Sequence, residues 1–244
     1  MKYEVIDSRY TKLLANIKEY FDQSDTLIWD RRNKIKVIDF FDEKLVVKSF
    51  KKPHLINRVA YSFFRDSKAK RSYENSLKID AFVPKAIGYV EHDQFSLLKE
   101  SYFVSEYYPC DFTIREVLTR KDFVDKTSIL ESFARFSYRL HEMGAEHLDY
   151  SPGNILIKKY AGEYHFKVID INRMRFGRMT PQQRLENFAR LWASEEDLGT
   201  ISRSYASLLE IDPAMAESWA LEASKKHKNK VNLKKRIKGK EIVD

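Results

Sequence analysis

The sequence is short of cysteine, glycine and proline, and it has no long apolar run. Cys110 is the single cysteine, so no disulfide can form within the chain, which fits a reducing compartment. Seven glycines and six prolines in 244 residues are too few for a linker-rich chain. No internal repeat is present. No stretch approaches the ~18 consecutive apolar residues of a membrane-spanning helix. The opening "MKYEVIDSRY" has acids early and no apolar core, so it does not read as a signal peptide.

What is abundant points to a globular protein with an anionic partner. Hydrophobic residues make up 43% and aromatics 14% of the chain, which argues against disorder. The length allows one large domain or two small lobes sharing a cleft. A formal charge of +8 and a pI near 9.3 suit nucleic acid, a phosphorylated ligand or a membrane surface. No motif that reads bases is present, so nucleic acid is not expected.

Hydrophobic periodicity predicts a helix over 8–22, with Tyr10, Leu13, Leu14, Ile17, Tyr20 and Phe21 on one face and Asp7 or Ser8 as its cap. "TLIWDRRNKIKVIDFFDEKLVVKSF" reads as three antiparallel strands broken at "DRRNK" and "FDEK". Helix is expected again over 57–80. "PKAIGYVE" and "LLKESYFVSEYY" suggest two more strands. After Pro109 the pattern turns helical. A helix over 127–143 places Ile129, Leu130, Phe133, Phe136, Leu140 and Met143 inward and stops at Gly144. "NILIKK" and "YHFKVID" form a hairpin. "TPQQRLENFARLWA" opens with a capping box at Thr180 and Gln183 and with Pro181 at its first position, and Asp212 with Pro213 repeats the device. The expected organisation is a β-rich lobe over 1–108, a hinge near 106–109, a helical lobe over 109–224 and a basic tail over 225–244.

"EHLDYSPGNILI" puts His147, Asp149 and Asn154 in one short loop, and "KVIDINRMRFG" puts Asp170 at the end of an apolar strand. Asn154 and Asp170 are oxygen ligands suited to a hard cation such as Mg²⁺, which binds one or two protein carboxylates plus substrate phosphates. Asp149 could then orient a hydroxyl and accept its proton. That is equipment for phosphoryl transfer. The H-x-D-x-x-x-x-N spacing, followed at hairpin distance by a strand ending in Asp170, resembles the catalytic and metal-binding segments of the protein-kinase-like fold. "RLHEMGAEHLD" resembles the helix end before that loop. "LVVKSF" is an alternating strand carrying Lys48, similar to the kinase strand whose lysine holds phosphates.

Several longer segments resemble the lipopolysaccharide core kinases of the Kdo/heptose family: "VVKSFKKPHLINRVAYSFFRDSKAKRSYENSLKI", "FVSEYYPCDFTIRE" and "HLDYSPGNILIKK…KVIDINRMRFG". The likeness spans roughly residues 30–195. It implies an α+β, bilobal protein-kinase-like fold and ATP- and Mg²⁺-dependent phosphorylation of an inner-core sugar, Kdo or heptose. It also implies a cytoplasmic protein at the inner-membrane face. By that resemblance Lys48 contacts phosphates, Glu74 positions Lys48, Asp149 is the base, and Asn154 and Asp170 hold Mg²⁺. The segment around Glu106 and Tyr107 would meet adenine through its backbone. The partners implied are the lipopolysaccharide inner core with lipid A and, through the basic tail, an anionic membrane surface. A monomer is expected.

The sequence departs from protein kinases in three places. The first turn, "DRRNKIK", has no glycine, so backbone cannot approach phosphates as closely, and Arg31, Arg32 or Lys34 would substitute by charge. Asp170 is followed by Ile-Asn instead of Phe-Gly. Only nine residues separate Asp170 from Thr180, which leaves no room for a peptide platform and favours a small or sugar acceptor. Plainer readings stand beside these. Asp149 and Asn154 are also turn formers, and His147 reads as a brace for the loop. Glu74 could pair along its own helix with Arg71 or Lys78. Arg173, Arg175 and Arg178 are either a solvated loop or a grip on an anionic acceptor. The tail, with nine Lys or Arg between Lys225 and Lys240 and no acid, is either a solubilising end or a lipid-docking segment. A phosphotransferase acting on another metabolite or a protein, and a pseudokinase that binds a partner without chemistry, remain the alternatives.

Overall fold

The computed structural model describes residues 1–30, 33–50, 65–94 and 97–239. The chain divides into two compact units, Met1–Pro109 with Asp170–Arg173, and Cys110–Ile169 with Met174–Asp244.

The first unit is built on a six-stranded antiparallel sheet. Its strands are β1 (Lys2–Val5), β2 (Leu27–Asp30), β3 (Asn33–Phe40), β4 (Glu43–Phe50), β5 (Ala86–Gln94) and β6 (Leu97–Glu106), ordered β1-β5-β6-β4-β3-β2. The five expected strands are present, and β1 is an addition, paired with β5. The expected first helix is split into α1 (Thr11–Ala15) and α2 (Ile17–Gln23). The break is at Asn16, whose side chain bonds the carbonyl of Lys12 at 3.0 Å and so competes with the helix backbone. The apolar stripe survives it. Tyr10, Leu13, Leu14, Ile17 and Phe21 bury against Ile38, Phe40, Leu45, Val47, Ile87, Val90 and Val104.

Alternation along β4 sends Leu45 and Val47 into that cluster and Phe50 into another, with Ala69, Tyr73, Ala86 and Tyr89. Lys48 shares the parity of Phe50. The second cluster lies under α3 (Lys68–Lys78), whose N-cap Ser67 accepts from the backbone of Lys70. The part of the expected helix over 57–64 lies outside the described residues, as do Arg31 and Arg32.

The second unit centres on α5 (Lys126–Glu142), preceded by β7 (Phe112–Thr113) and α4 (Ile114–Thr119). Five of the six expected apolar positions of α5 are buried. Met143 is exposed, because it is the cap residue beyond the last turn of the helix. Gly144, at φ +67, ends the helix and donates to the carbonyl of His141. Then come β8 (Ala145–His147), β9 (Ile155–Tyr160), β10 (Glu163–Val168) and β11 (Met174–Phe176). β9 pairs with both β10 and β7, and β11 pairs with β8.

The capping box at Thr180 and Gln183 is formed and opens α6 (Pro181–Glu186), followed by a 3-10 turn at Asn187–Leu191. α7 (Glu195–Leu209) and α8 (Pro213–Ile237) complete the unit. The basic segment is not a separate tail. α8 continues through it to Ile237, with Ser224 buried, His227 against the Trp192 ring at 6.0 Å and Lys228 on the carbonyl of Ala193. Residues 240–244 lie outside the described residues.

Candidate active site

In the first unit, Lys48 and Asp170 come together. Lys48 Nζ lies 2.6 Å from Asp170 Oδ1, and the lysine side chain is only 12% exposed. Strand β4 supplies the rigidity, and the lysine stem runs past the Phe50 ring. Asp170 has φ +59, a left-handed backbone that aspartate tolerates better than bulky residues do. Asn172 Nδ2 bonds the same Oδ1 at 2.5 Å. Asp170 Oδ2 therefore faces no donor among the described residues. The Ile-Asn that replaces Phe-Gly thus has a use: Asn172 fixes the carboxylate.

Glu74 is not brought to Lys48. Its carboxylate pairs with Lys70 at 3.6 Å, one turn earlier on α3 and neither of the two partners considered for it. The side chain that α3 turns inward is the next one. Asn75 is buried and donates to the carbonyl of Ile171 at 2.7 Å, which ties α3 to the segment carrying Asp170. No kinase-like spacing marks Asn75. Its only signal was an amide among the small residues of the buried helix face. The N–H groups of Glu106 and Tyr107 are already committed to the carbonyls of Lys85 and Lys44. Only carbonyl oxygens, with their second lone pairs, remain at these two residues for an adenine. Lys34 pairs with Asp30 at 3.5 Å.

In the second unit, the loop around Asp149 is fixed by partly buried hydrogen bonds of definite polarity. The N–H of Asp149 donates to His147 Nδ1 at 3.0 Å, and His147 Nε2 faces the carbonyl of Ile169 at 3.0 Å. A backbone N–H can only donate and a carbonyl can only accept. His147 is thereby a neutral ring with its proton on Nε2, the brace that was expected. Ile169 also donates to the carbonyl of Asn154 at 2.9 Å, so both loop residues hold the peptide that precedes Asp170.

Behind the brace runs a chain that the sequence did not reveal. Asn187 Nδ2 donates to the carbonyl of His147 at 3.1 Å, so its Oδ1 accepts from His141 Nε2, and Tyr205 donates to His141 Nδ1 at 2.8 Å. Burial pushes His141 down to about 4. Tyr150, the residue after Asp149, is fully buried against Phe133, and its hydroxyl meets Ser137 at 2.8 Å.

Asn154 donates through Nδ2 to the carbonyl of Asp149 at 3.0 Å, which leaves its Oδ1 with no donor among the described residues. Asn154 Oδ1 and Asp170 Oδ2 are each, within their own unit, a hard oxygen held in place by its partner atom, of the kind that suits Mg²⁺ better than a soft metal. Asp149 Oδ1 lies 3.6 Å from Arg190 Nη1, a residue that the sequence reading did not single out. Arg175 is held by Glu146 at 3.1 Å across β11 and β8. Arg173 and Arg178 are exposed.

Comparison with known proteins bears on the fold and on part of the second unit. The structure of WaaP in complex with acyl carrier protein resembles this one over 93% of this chain and 99% of that one, with TM-score 0.60 and 14% identity. The fold is protein-kinase-like, as expected. Solved chains that match the structure number 1218, so the fold alone leaves the acceptor open. Residues 111–211 match the model of the lipopolysaccharide kinase (Kdo/WaaP) family. That match bears out the resemblance to the lipopolysaccharide core kinases and supports a lipopolysaccharide kinase, hence a phosphotransferase. It spans Asp149, Asn154, Asp170 and Arg190. Comparison with curated proteins finds no match.

Proposed function

We propose that the protein is an ATP-dependent kinase that phosphorylates a hydroxyl of an inner-core sugar of lipopolysaccharide, Kdo or heptose. The observation that supports this most is the pairing of Lys48 with Asp170 at 2.6 Å, 122 positions apart in the chain. Without nucleotide, the cation suited to phosphates and the carboxylate suited to a metal neutralise each other. Mg-ATP offers each a partner of the opposite sign. In this reading Lys48 holds phosphates, and Asn154 and Asp170 would hold Mg²⁺, each by the oxygen that has no donor among the described residues. A Mg²⁺ held by these residues would supply charge neutralisation for the phosphoryl transfer. Carbonyls of the Glu106–Tyr107 segment accept from adenine. Asp149, its backbone fixed by His147, orients the acceptor hydroxyl and takes its proton. Arg173, Arg175 and Arg178 contribute positive charge for an anionic acceptor.

The enzyme works as a monomer in the cytoplasm, held at the inner-membrane face by the basic end of α8. Leu233 and Ile237, one turn apart and exposed among lysines, suit the boundary between headgroups and acyl chains. The test is mass spectrometry of lipid A–core from cells with and without the gene, paired with transfer from ATP to Kdo- and heptose-bearing acceptors in vitro. A phosphate lost in the first and gained in the second is expected. Unaltered lipid A–core together with no transfer to either sugar would sink the reading.

A further inference from the structure

Arg190 was not singled out by the sequence, yet among the described residues its guanidinium is the cation that pairs with Asp149. It comes from the 3-10 turn at Asn187–Leu191, and it is fixed from both sides. Asn187 anchors the start of the turn to His141 and His147. Beyond its end, Trp192 packs on His227 and Ala193 accepts from Lys228, both on α8. The contact with Asp149, at 3.6 Å, is an ion pair and longer than a good hydrogen bond. Arg190 makes no other polar contact among the described residues and is 39% exposed, so most of its five N–H donors have no partner there.

A pair that only neutralised Asp149 would favour a tighter geometry than 3.6 Å. A guanidinium fork whose remaining donors have no partner among the described residues suits an oxyanion.

We propose that Arg190 is an acceptor-binding residue that grips a carboxylate or phosphate carried by the acceptor next to the hydroxyl served by Asp149. This rests on the kinase reading above and narrows its substrate class to anionic sugars. Ordinary hydrogen-bond lengths added to the Arg190–Asp149 separation put the gripped oxygen within about 9 Å of that hydroxyl. The anionic group is therefore on the same sugar or on its neighbour. Asp149 competes with the acceptor for Arg190, and acceptor binding releases the carboxylate to meet the hydroxyl.

The test is calorimetry on the full chain with Mg²⁺ and a non-hydrolysable ATP analogue. One pair of probes is Kdo and Kdo with its carboxylate reduced to the alcohol. The other is lipid A–core before and after removal of its phosphates. The pair in which Arg190 discriminates identifies the oxyanion. Arg190→Ala should weaken the charged probe of that pair at least tenfold and the uncharged one less than twofold. Arg190→Lys should recover part of the loss. Asp149→Asn frees Arg190 and should tighten binding of the charged probe severalfold, a gain that Arg190→Ala removes in the double variant. Thermal melting checks that each variant is folded.

Equal losses on charged and uncharged probes, no loss, or no binding of any charged probe by the wild type would overturn the proposal. Discrimination without phosphate transfer would leave the anion site standing and overturn the kinase reading. Transfer without discrimination would do the reverse.

Discussion

At the scale of single residues, the kinase reading concerns what each oxygen is free to do. Asp149→Asn keeps the shape and the backbone hydrogen bond to His147 but loses the charge that receives a proton. A fall in kcat of roughly 10²- to 10⁴-fold is expected, with Mg-ATP affinity unchanged. Near-normal turnover in the variant would remove Asp149 from the mechanism. Asp170→Asn removes the charge that the kinase reading gives to the metal and that pairs with Lys48. ATP affinity should lose its dependence on Mg²⁺, which a titration with and without the ion reads directly. The same dependence in variant and wild type would exclude Asp170 as a ligand.

At the scale of elements, tight approach and shared anchors decide. A Cβ on Gly88 of β5 would stand 2.4 Å from the carbonyl of Glu4 and 2.7 Å from Leu14. β1 and α1 can therefore close on the sheet only over a glycine. Gly88→Ala should destabilise the protein by about 1–3 kcal/mol, seen as a lower urea midpoint, and the forced shift falls on β1. α8 carries two roles at once. Removing it from Lys225 onward deletes the contacts to Trp192 and Ala193, so truncation would disturb the turn that holds Arg190 along with any lipid docking. Substitution separates the two. Lys234→Gln, Lys235→Gln, Arg236→Gln and Lys238→Gln together should leave thermal stability unchanged and reduce co-sedimentation with anionic vesicles. The loss should be greatest at low salt, at about 1 kcal/mol per charge. Equal binding by variant and wild type would make this end of α8 a solvated one.

At the scale of the whole molecule, the buried His141 makes stability depend on pH. Its folded value of about 4 lies below the ordinary histidine value of 6.5. Between these the unfolded chain binds more protons, so acid favours unfolding. The contribution is full above pH 6.5 and is lost as pH falls through 6.5 toward 4. Between pH 7 and 5 it amounts to about 2 kcal/mol. Urea unfolding at the two pH values should show the loss, and His141→Gln should flatten it. An unchanged slope in the variant would mean that other groups set the acid limit.

The sequence alone determined what short spacings and local patterns encode. The H-x-D-x-x-x-x-N loop, the alternation that puts Lys48 on a strand, the apolar stripe of α5 and the capping box at Thr180 are all written within a few residues of one another. The capping box of α4, Thr113 with Glu116, was equally legible and overlooked. α7 was harder to see, because Gly199, Ser202, Ser204 and Ser207 are weak helix formers and their small size suits a packed helix face. Tertiary structure decided which side chains meet over long separations. It gave Lys48 to Asp170 and Glu74 to Lys70, drew Asn75 inward to Ile171, and set Arg190 beside Asp149. It also carried the basic segment into α8. Such contacts depend on the rotation of a helix by a fraction of a turn and on which elements pack together. Local sequence leaves both open, because adjacent positions on a helix point about 100° apart.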